Sequence, residues 1–397
     1  MFGKKHIPQP IVIDISENCI TVLRYEADQA TGNTLINAIS KKQIPFGLVN
    51  TNTIDKENEV IEIIKESLLD IKSSDQDELI FGVSGPLVKM QSRRITVERE
   101  KPQRPIKLKE WVTSIDDVYI QLDAENGGYF EGSHLPLSLV QISFDSIKID
   151  NEDVVSPLAE KGSIVTLDTA ITLVPDTYKQ SIIRISQALD MSILGMYHHG
   201  YSVGQLILDY QTNKDISALL VDIRFGHTTV SVIQGQVVHY INSFSIGSHS
   251  FTQTIANIFQ ITLDEAETLR QEYTQLQLPR DMARRITDAL EPEISLWLQA
   301  LILSLQNYTF TTPPAYLLLY GEGAQLLGIK EALEYSNWYK SLHFEQKPAV
   351  SILTPKQFPH MIDMTSSMEG SKYLDMLGLI HISSIPTDIH LPYRLSE

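Results

Sequence analysis

The stretch I-V-I-D-I-S-E-N-C-I-T-V-L at residues 11–23 decides the fold, because its plan returns as L-L-V-D-I-R-F-G-H-T-T-V-S-V at residues 219–232. In each stretch an apolar run reaches an aspartate, turns through small or polar residues, and resumes as an alternating strand. The pattern predicts a buried strand with one carboxylate exposed at its end, followed by a tight hairpin. A third stretch, A-Y-L-L-L-Y-G-E-G-A-Q-L-L-G-I at residues 315–329, predicts an apolar strand that breaks at glycine and continues as a helix.

Together the three stretches predict a nucleotide held between two halves of the molecule. A triphosphate carries several negative charges and binds best to the backbone N–H groups of a hairpin turn or a helix start. Asp14 and Asp222, at the strand ends, would hold the waters of a Mg²⁺ ion, which keeps much of its hydration shell. An isolated strand-end aspartate more often caps a turn. The matched pair, with the third stretch, favours a site in which the two acids face each other across a gap.

Size and composition limit the class of protein. The 397 residues exceed what one core usually fills, so at least two packed units are expected. The net charge of −17 argues against nucleic-acid binding and direct membrane adsorption, and favours protein partners. The single cysteine, Cys19, excludes an internal disulfide framework and is typical of a reducing compartment. The densest apolar run, residues 294–305, is too short to span a bilayer, and the N-terminus lacks a signal-peptide pattern, so a cytoplasmic protein is expected.

The order of strand and helix patterns predicts a duplicated core with a different insertion in each half. The first domain is assigned to residues 1–85 and 168–216, and the second to residues 217–249 and 307–397. Residues 250–306 predict a helical cap subdomain. Residues 86–167 predict an inserted α+β subdomain, with strands at 94–97, 118–122, 139–144 and 164–174 and a helix at 108–114. Residues 383–397 predict a strand end and a tail.

The hairpins, the glycine-broken strand and the insertion together resemble the actin-like ATPase superfamily, with its two phosphate motifs and its adenosine motif. The resemblance covers about residues 11–380. It implies an α/β class, namely a duplicated actin-like (ribonuclease H-like) two-domain fold with the inserted α+β and helical cap subdomains. Within the superfamily the chain is most similar to the cell-division protein FtsA, with the pilus-assembly protein PilM as a near relative. The stretches at residues 150–162, 245–256 and 265–273 and the position of the insertion carry this likeness.

The resemblance implies a role for each matching residue. The first phosphate loop corresponds to Asp14, Ser16, Glu17 and Asn18, and the second to Asp222, Arg224, Gly226, His227 and Thr228. Glu267 and Arg270 correspond to the residues that approach the ribose and base, and Gly321, Glu322 and Gly323 to the backbone against which the adenosine rests. Asp14 and Asp222 would hold Mg²⁺ through water. The adjacent His198 and His199 are expected to be structural or surface residues, since neighbouring histidines seldom point at one ion.

The phosphate loops depart from the family pattern. Ser16 and Arg224 replace the glycine two residues after each aspartate, Phe225 replaces the next small residue, and Thr21 replaces a lysine. Glycine lets backbone approach phosphate without a Cβ in the way, so its loss weakens binding. Arg224 either clamps a phosphate or fills the pocket. We therefore expect an ATP–Mg-binding scaffold with slow or no ATPase activity, not a metabolic enzyme.

The resemblance to FtsA implies an adaptor that binds ATP–Mg between its domains, polymerises into filaments and recruits the tubulin-like protein FtsZ to the division site. The tail peptide of FtsZ would dock on the helical cap, where Arg280, Arg284 and Arg285 lie within about one helical turn. FtsA ends in a basic amphipathic helix, but nothing after Ser383 has that pattern. The membrane would then be reached only through partners, at the cytoplasmic face of the inner membrane.

Two alternatives remain open. The first is a PilM-like cytoplasmic adaptor of type IV pilus or secretion assembly, which docks the tail peptide of a membrane partner. The second is a sugar kinase of the same superfamily. The kinase is disfavoured because the insertion matches the adaptors and because the lost glycines would slow phosphoryl transfer.

Overall fold

The computed structural model describes residues 9–28, 30–51, 53–126, 135–211 and 215–385. Its first elements are β1 (Pro10–Ile15), β2 (Cys19–Asp28), β3 (Asn33–Gln43), the short pair β4 (Val49–Asn50) and β5 (Thr53–Ile54), α1 (Glu57–Asp70) and β6 (Glu78–Val83). The predicted hairpin between β1 and β2 forms, and its register pairs Asp14 with Thr21 next to the turn. Helix α1 covers this sheet, since Val60, Ile64 and Leu68 recur every four residues and are buried.

The predicted insertion forms a sheet of its own. Its elements are β7 (Lys89–Glu98), α2 (Leu108–Asn126), β8 (Leu137–Ile149), β9 (Glu152–Val154) and β10 (Ile164–Pro175), with the strands in the order β7-β10-β8-β9. The strand predicted at residues 118–122 is wrong, because these residues belong to α2. Val118 and Leu122 continue the buried stripe of Trp111 and Ile115, so the helical period of the whole stretch outweighs the local β-propensity of V-Y-I.

The chain then returns to the first sheet through α3 (Asp176–Leu189), β11 (Ile193–His198) and α4 (His199–Tyr210). The strands lie in the order β11-β6-β1-β2-β3. Strand β6 pairs in parallel with both β1 and β11, whereas β1, β2 and β3 form an antiparallel meander. The carboxyl ends of β1, β6 and β11 therefore meet at one edge of the sheet, where Asp14 lies.

The second half repeats this arrangement strand for strand. Its elements are β12 (Ile216–Ile223), β13 (Thr228–Gly235), β14 (Val237–Phe244), α5 (Ser248–Phe259), α6 (Leu263–Thr274), α7 (Arg280–Leu305), β15 (Tyr316–Tyr320), α8 (Ile329–Tyr335), a 3₁₀ turn (Trp338–Leu342) and β16 (Ala349–Ile352). The sheet order is β14-β13-β12-β15-β16, so the predicted duplication is confirmed. Helix α8 begins only at Ile329, because residues 321–328 form turns. The prediction of a helix directly after the glycine break is wrong in that detail.

The end of the described chain crosses back to the first half. After a 3₁₀ turn (Pro355–Gln357), β17 (Met361–Asp363) pairs in parallel with β3 at the edge of the first sheet. A further 3₁₀ turn (Ser371–Tyr373) leads into α9 (Leu374–Ser384), which packs on α4 so closely that a Cβ at Gly378 would overlap the backbone of Val203.

The predicted strand end at residue 383 is wrong, because Ser383 and Ser384 close α9. The rest of the predicted tail, residues 386–397, lies outside the described residues. The domain boundaries given above remain predictions. Among the residues that the structure describes, no helix is both long enough and apolar enough to cross a membrane.

Candidate functional site

Arg224 lies in the cleft between the two halves. Strand β12 ends at Ile223, so Arg224 is the first residue of the following turn. Its guanidinium Nη2 donates to the two carboxylate oxygens of Asp14 at 2.9 and 2.8 Å, and to the hydroxyl of Ser16 at 3.2 Å. Its Nη1 donates to a carboxylate oxygen of Asp375, in the first turn of α9. All four side chains are buried.

The Arg224 guanidinium stays charged in this setting. Burial would lower its pKa, but the carboxylates of Asp14 and Asp375 outweigh burial and raise the pKa well above its usual value. Burial would likewise raise the pKa of Asp14, but the charges of Arg224 and His199 lower it well below its usual range. Asp14 and Arg224 therefore form a buried ion pair that joins the two halves. Such a pair is costly to break, since either partner alone would be an uncompensated buried charge.

Asp222, the second acid predicted to hold Mg²⁺, has a different state. It is fully buried, and neither of its carboxyl oxygens hydrogen-bonds within the described part of the chain. Burial, reinforced by the nearby acid Asp375, raises the pKa of Asp222 well above its usual value. The Asp222 carboxyl group therefore holds its proton more tightly than a solvent-exposed aspartate does, and the protonated form is a poor ligand for Mg²⁺.

The two predicted phosphate loops touch each other. The hydroxyl of Thr51 donates to Oε1 of Glu17 at 2.7 Å, and a Cβ added at Gly226 would overlap that same oxygen. Nε2 of His227 lies 3.0 Å from Oγ of Ser84, just past the end of β6. The backbone of one loop thus lies against a side chain of the other.

The residues in this cleft do not fit a Mg–triphosphate. The cavity beside Arg224 measures about 30 Å³, which is room for only a few water molecules. Across the described ranges, no group of three or more His, Cys, Asp or Glu side chains has the arrangement of a metal site. The guanidinium lies against Asp14, where the sequence predicted a hydrated cation.

The other end of the cleft is open. A cavity of about 680 Å³ lies between the first half and the helical cap, and its lining includes Glu17, Asn18, Glu267, Arg270 and Glu322. This volume is within the range of small-molecule sites. Arg270 donates to Glu267 at 2.6 Å, and the Asn18 amide donates to Glu322 at 3.3 Å. These predicted ribose and loop residues are therefore brought together around one cavity.

Gly321 and Gly323 bring the turn after β15 against the end of β12. Gly321 has a φ of +89°, a conformation that favours glycine. A Cβ at Gly321 would overlap a carboxyl oxygen of Asp222, and one at Gly323 would overlap the side chain of Ile223. Both glycines thus permit close backbone approach, while contact with an adenosine remains a prediction.

Comparison with known proteins agrees with this architecture. A family model described as type IV pilus assembly protein PilM matches residues 194–342. A solved structure described as a PilM–PilN type IV pilus biogenesis complex superposes with a TM-score of 0.68 at 15% identity, covering 95% of this chain and 99% of that one. The chain has the actin-like ATPase fold.

Two other solved structures have a lower similarity. The ethanolamine utilization protein EutJ from Carboxydothermus hydrogenoformans has a TM-score of 0.49 at 12% identity, covering 94% of this chain and 90% of that one. MreB 5 of Spiroplasma citri bound to AMPPNP has a TM-score of 0.49 at 10% identity, covering 94% and 95%. No curated protein matches the chain. The two matches to PilM favour the PilM-like alternative over the FtsA-like interpretation, and recruitment of FtsZ has no support in them.

Within this actin-like fold, Thr228 faces away from the cleft. Its hydroxyl donates to the carbonyl of Ile246 at 2.6 Å and accepts from the indole of Trp297 at 3.0 Å. Thr228 therefore anchors the second loop to α7, and its predicted role in the phosphate loop remains a prediction.

The structure separates the three predicted partner-binding arginines. Arg280 and Arg284 are exposed and line a groove of about 420 Å³ on the helical cap. Arg285 lies over the ring of Phe259, 4.8 Å from its centroid. Only two of the three arginines can therefore act on one ligand in this groove.

Sequence reasoning missed Asp375 and His199. Asp375 is a buried acid in the apolar helix L-D-M-L-G-L-I, and a carboxylate in such a helix signals a buried cationic partner. His199 was expected to be structural or on the surface, but its Nε2 lies 3.2 Å from Oδ1 of Asp14. Its neighbour His198 accepts from the backbone N–H of Gly200 and is structural, as expected.

Proposed function

We propose that this protein is a PilM-like adaptor of a type IV pilus or secretion machine, which holds a tail segment of a protein partner. The observation that supports it most is the superposition, over 95% of this chain, on a protein whose structure was solved in a complex with PilN. The PilM family match adds support, since residues 194–342 include the second loop, the helical cap and the glycine-broken strand.

We place the docking site in the groove on the helical cap. Its lining is apolar at Leu276, Leu278 and Leu327, and Arg280 and Arg284 stand at its rim. The chain as a whole is strongly acidic, with a net charge of −17, so an acidic segment would be repelled from most of the surface. A segment that combines apolar side chains with acidic ones is complementary to this groove.

The test is fluorescence anisotropy with a labelled tail segment of the PilN-like protein encoded by the same genome. We expect saturable binding, and we expect Arg284→Glu to weaken it at least about tenfold because the charge that attracts the acidic residues is reversed. Arg93→Glu, at an exposed arginine on β7 in the inserted sheet, is the matched control and should bind like the unmodified protein.

The possible results test the adaptor role and the position of the docking site separately. Absence of binding to any PilN-like tail would contradict the adaptor role, particularly if a tail peptide of FtsZ bound instead. Binding that is insensitive to Arg284→Glu would support the adaptor role but exclude the groove as the docking site. Self-association into filaments remains a separate prediction, for which sedimentation of the purified protein is the measurement.

A further inference from the structure

We propose that the side chain of Arg224 is a built-in substitute for the metal ion and phosphates of an actin-like cleft, and that it holds the two halves together without a bound nucleotide. This inference concerns the cleft alone and does not rest on the proposed partner. It follows from the mismatch between the residues of the cleft and a Mg–triphosphate.

The first step is the position of the charge. Arg224 follows β12 in the second half, Asp14 ends β1 in the first half, and Asp375 opens α9, which packs on the first half. One guanidinium therefore bonds to elements from both halves. A planar guanidinium offers five donors in a fixed fork, which suits two carboxylates at once. In a nucleotide-dependent cleft, a chelated cation would make these connections.

The second step is that independent contacts close the same cleft. The His227 imidazole reaches Ser84, and the Asn18 amide reaches Glu322. At the mouth of the large cavity, the ring of Phe46 from the first half stacks on His249 of α5, with centroids 5.2 Å apart. Together with Arg224, these contacts join the two halves at separate points of the cleft.

The third observation is that the space beside Arg224 is small. The space left beside Arg224 is about 30 Å³, and its lining includes Asp14, Ser16 and Asp375. A ligand phosphate could enter only if the guanidinium moved away from Asp14 and Asp375. These two buried carboxylates would then lack their cation. The large cavity stays accessible, so the cleft has lost its phosphate subsite and kept the space beside it.

The proposal predicts that removing the guanidinium creates a cation site. In Arg224→Gly, the carboxylates of Asp14 and Asp375 would lose the guanidinium that they share, in a cavity that Lys41 and Lys372 also line. Two buried carboxylates that have lost their shared cation attract a hard divalent ion. The charge-retaining Arg224→Lys is the matched control, because an ammonium in the same place still neutralises the acids.

The experiment is a Mn²⁺ titration of the full chain, followed by electron paramagnetic resonance of the free ion. We expect one equivalent to be bound saturably by Arg224→Gly, and association at least about tenfold weaker, without saturation, with the unmodified protein and with Arg224→Lys. Mn²⁺ should also raise the melting temperature of Arg224→Gly alone.

Two results would overturn the proposal. One is saturable Mn²⁺ binding by the unmodified protein that is lost in Asp14→Asn, because Arg224 would then not be replacing a metal. The other is a folded Arg224→Gly, judged by circular dichroism, that binds no Mn²⁺. If Arg224→Gly does not fold, the titration of the unmodified protein still decides.

Discussion

At the scale of the residue, the chemistry of the cleft depends on one acid that follows Arg224 by 151 positions in the chain. An arginine at the end of β12 is compatible with either a phosphate clamp or a filled pocket. Asp375 favours the filled pocket, because it supplies a second carboxylate that binds the guanidinium.

We predict that Asp375→Ala lowers the free energy of unfolding by about 3 to 5 kcal/mol, because it leaves the Arg224 charge buried with one partner fewer. The measurement is urea denaturation of the full chain. Asp281→Ala is the matched control, since Asp281 is also in the first turn of a helix but is exposed. The control should cost about 1 kcal/mol or less, the usual value of a helix-dipole interaction. Equal losses in the two variants would show that the Arg224 contact contributes little.

At the scale of the element, the inserted sheet contacts α4 through a carboxyl group whose pKa is raised by burial. The hydroxyl of Tyr201 donates to Oδ1 of Asp145, on β8, at 3.1 Å. Burial raises the pKa of Asp145 from 3.8 to about 7, against the opposing effect of the Tyr201 hydrogen bond. In the folded chain Asp145 therefore keeps a proton that the unfolded chain loses near pH 4.

We predict that this contact makes the protein less stable as the pH rises. The contribution is fully present below the unfolded-state pKa and is lost as the pH rises through about 7. Its slope is at most about 1.4 kcal/mol per pH unit. Urea denaturation across this range measures it, and Asp145→Asn should reduce the slope by up to that amount, leaving the contribution of Asp222, whose pKa is also raised by burial. Asp117→Asn, at an exposed position on α2, should leave the slope unchanged, and a flat profile in the unmodified protein would contradict the prediction.

The secondary-structure elements also show how much of the fold could be predicted from the sequence. The strand, aspartate and hairpin pattern could be predicted twice because it is local, and the duplicated sheet order follows from it. The stretch V-Y-I near Val118 favours a strand locally, and only the period that starts at Trp111 indicates α2. The contact between Arg224 and Asp375 could not be predicted, since it depends on how α9 returns to the first half.

At the scale of the whole molecule, the proposed replacement of metal and phosphates by Arg224 predicts that nucleotide does not stabilise the protein. A ligand stabilises a protein only if it binds the folded state. We expect Mg–ATP to leave the melting temperature of the unmodified protein unchanged and to yield no inorganic phosphate above background. The partner tail segment, measured in the same way, is the positive control and should raise the melting temperature. A clear rise with Mg–ATP that disappears without Mg²⁺ would restore the metal site predicted from the sequence.

The return of β17 and α9 to the first sheet also bears on how the chain is made. Domains generally fold as units during synthesis, with the N-terminal one first. Here the edge strand of the first sheet is formed by Met361–Asp363, and the second carboxylate that binds Arg224 belongs to Asp375. The half that contains β1 must therefore wait for residues 361–375 to be translated before it can be completed, and a chaperone that shields the open edge of β3 would act during that interval.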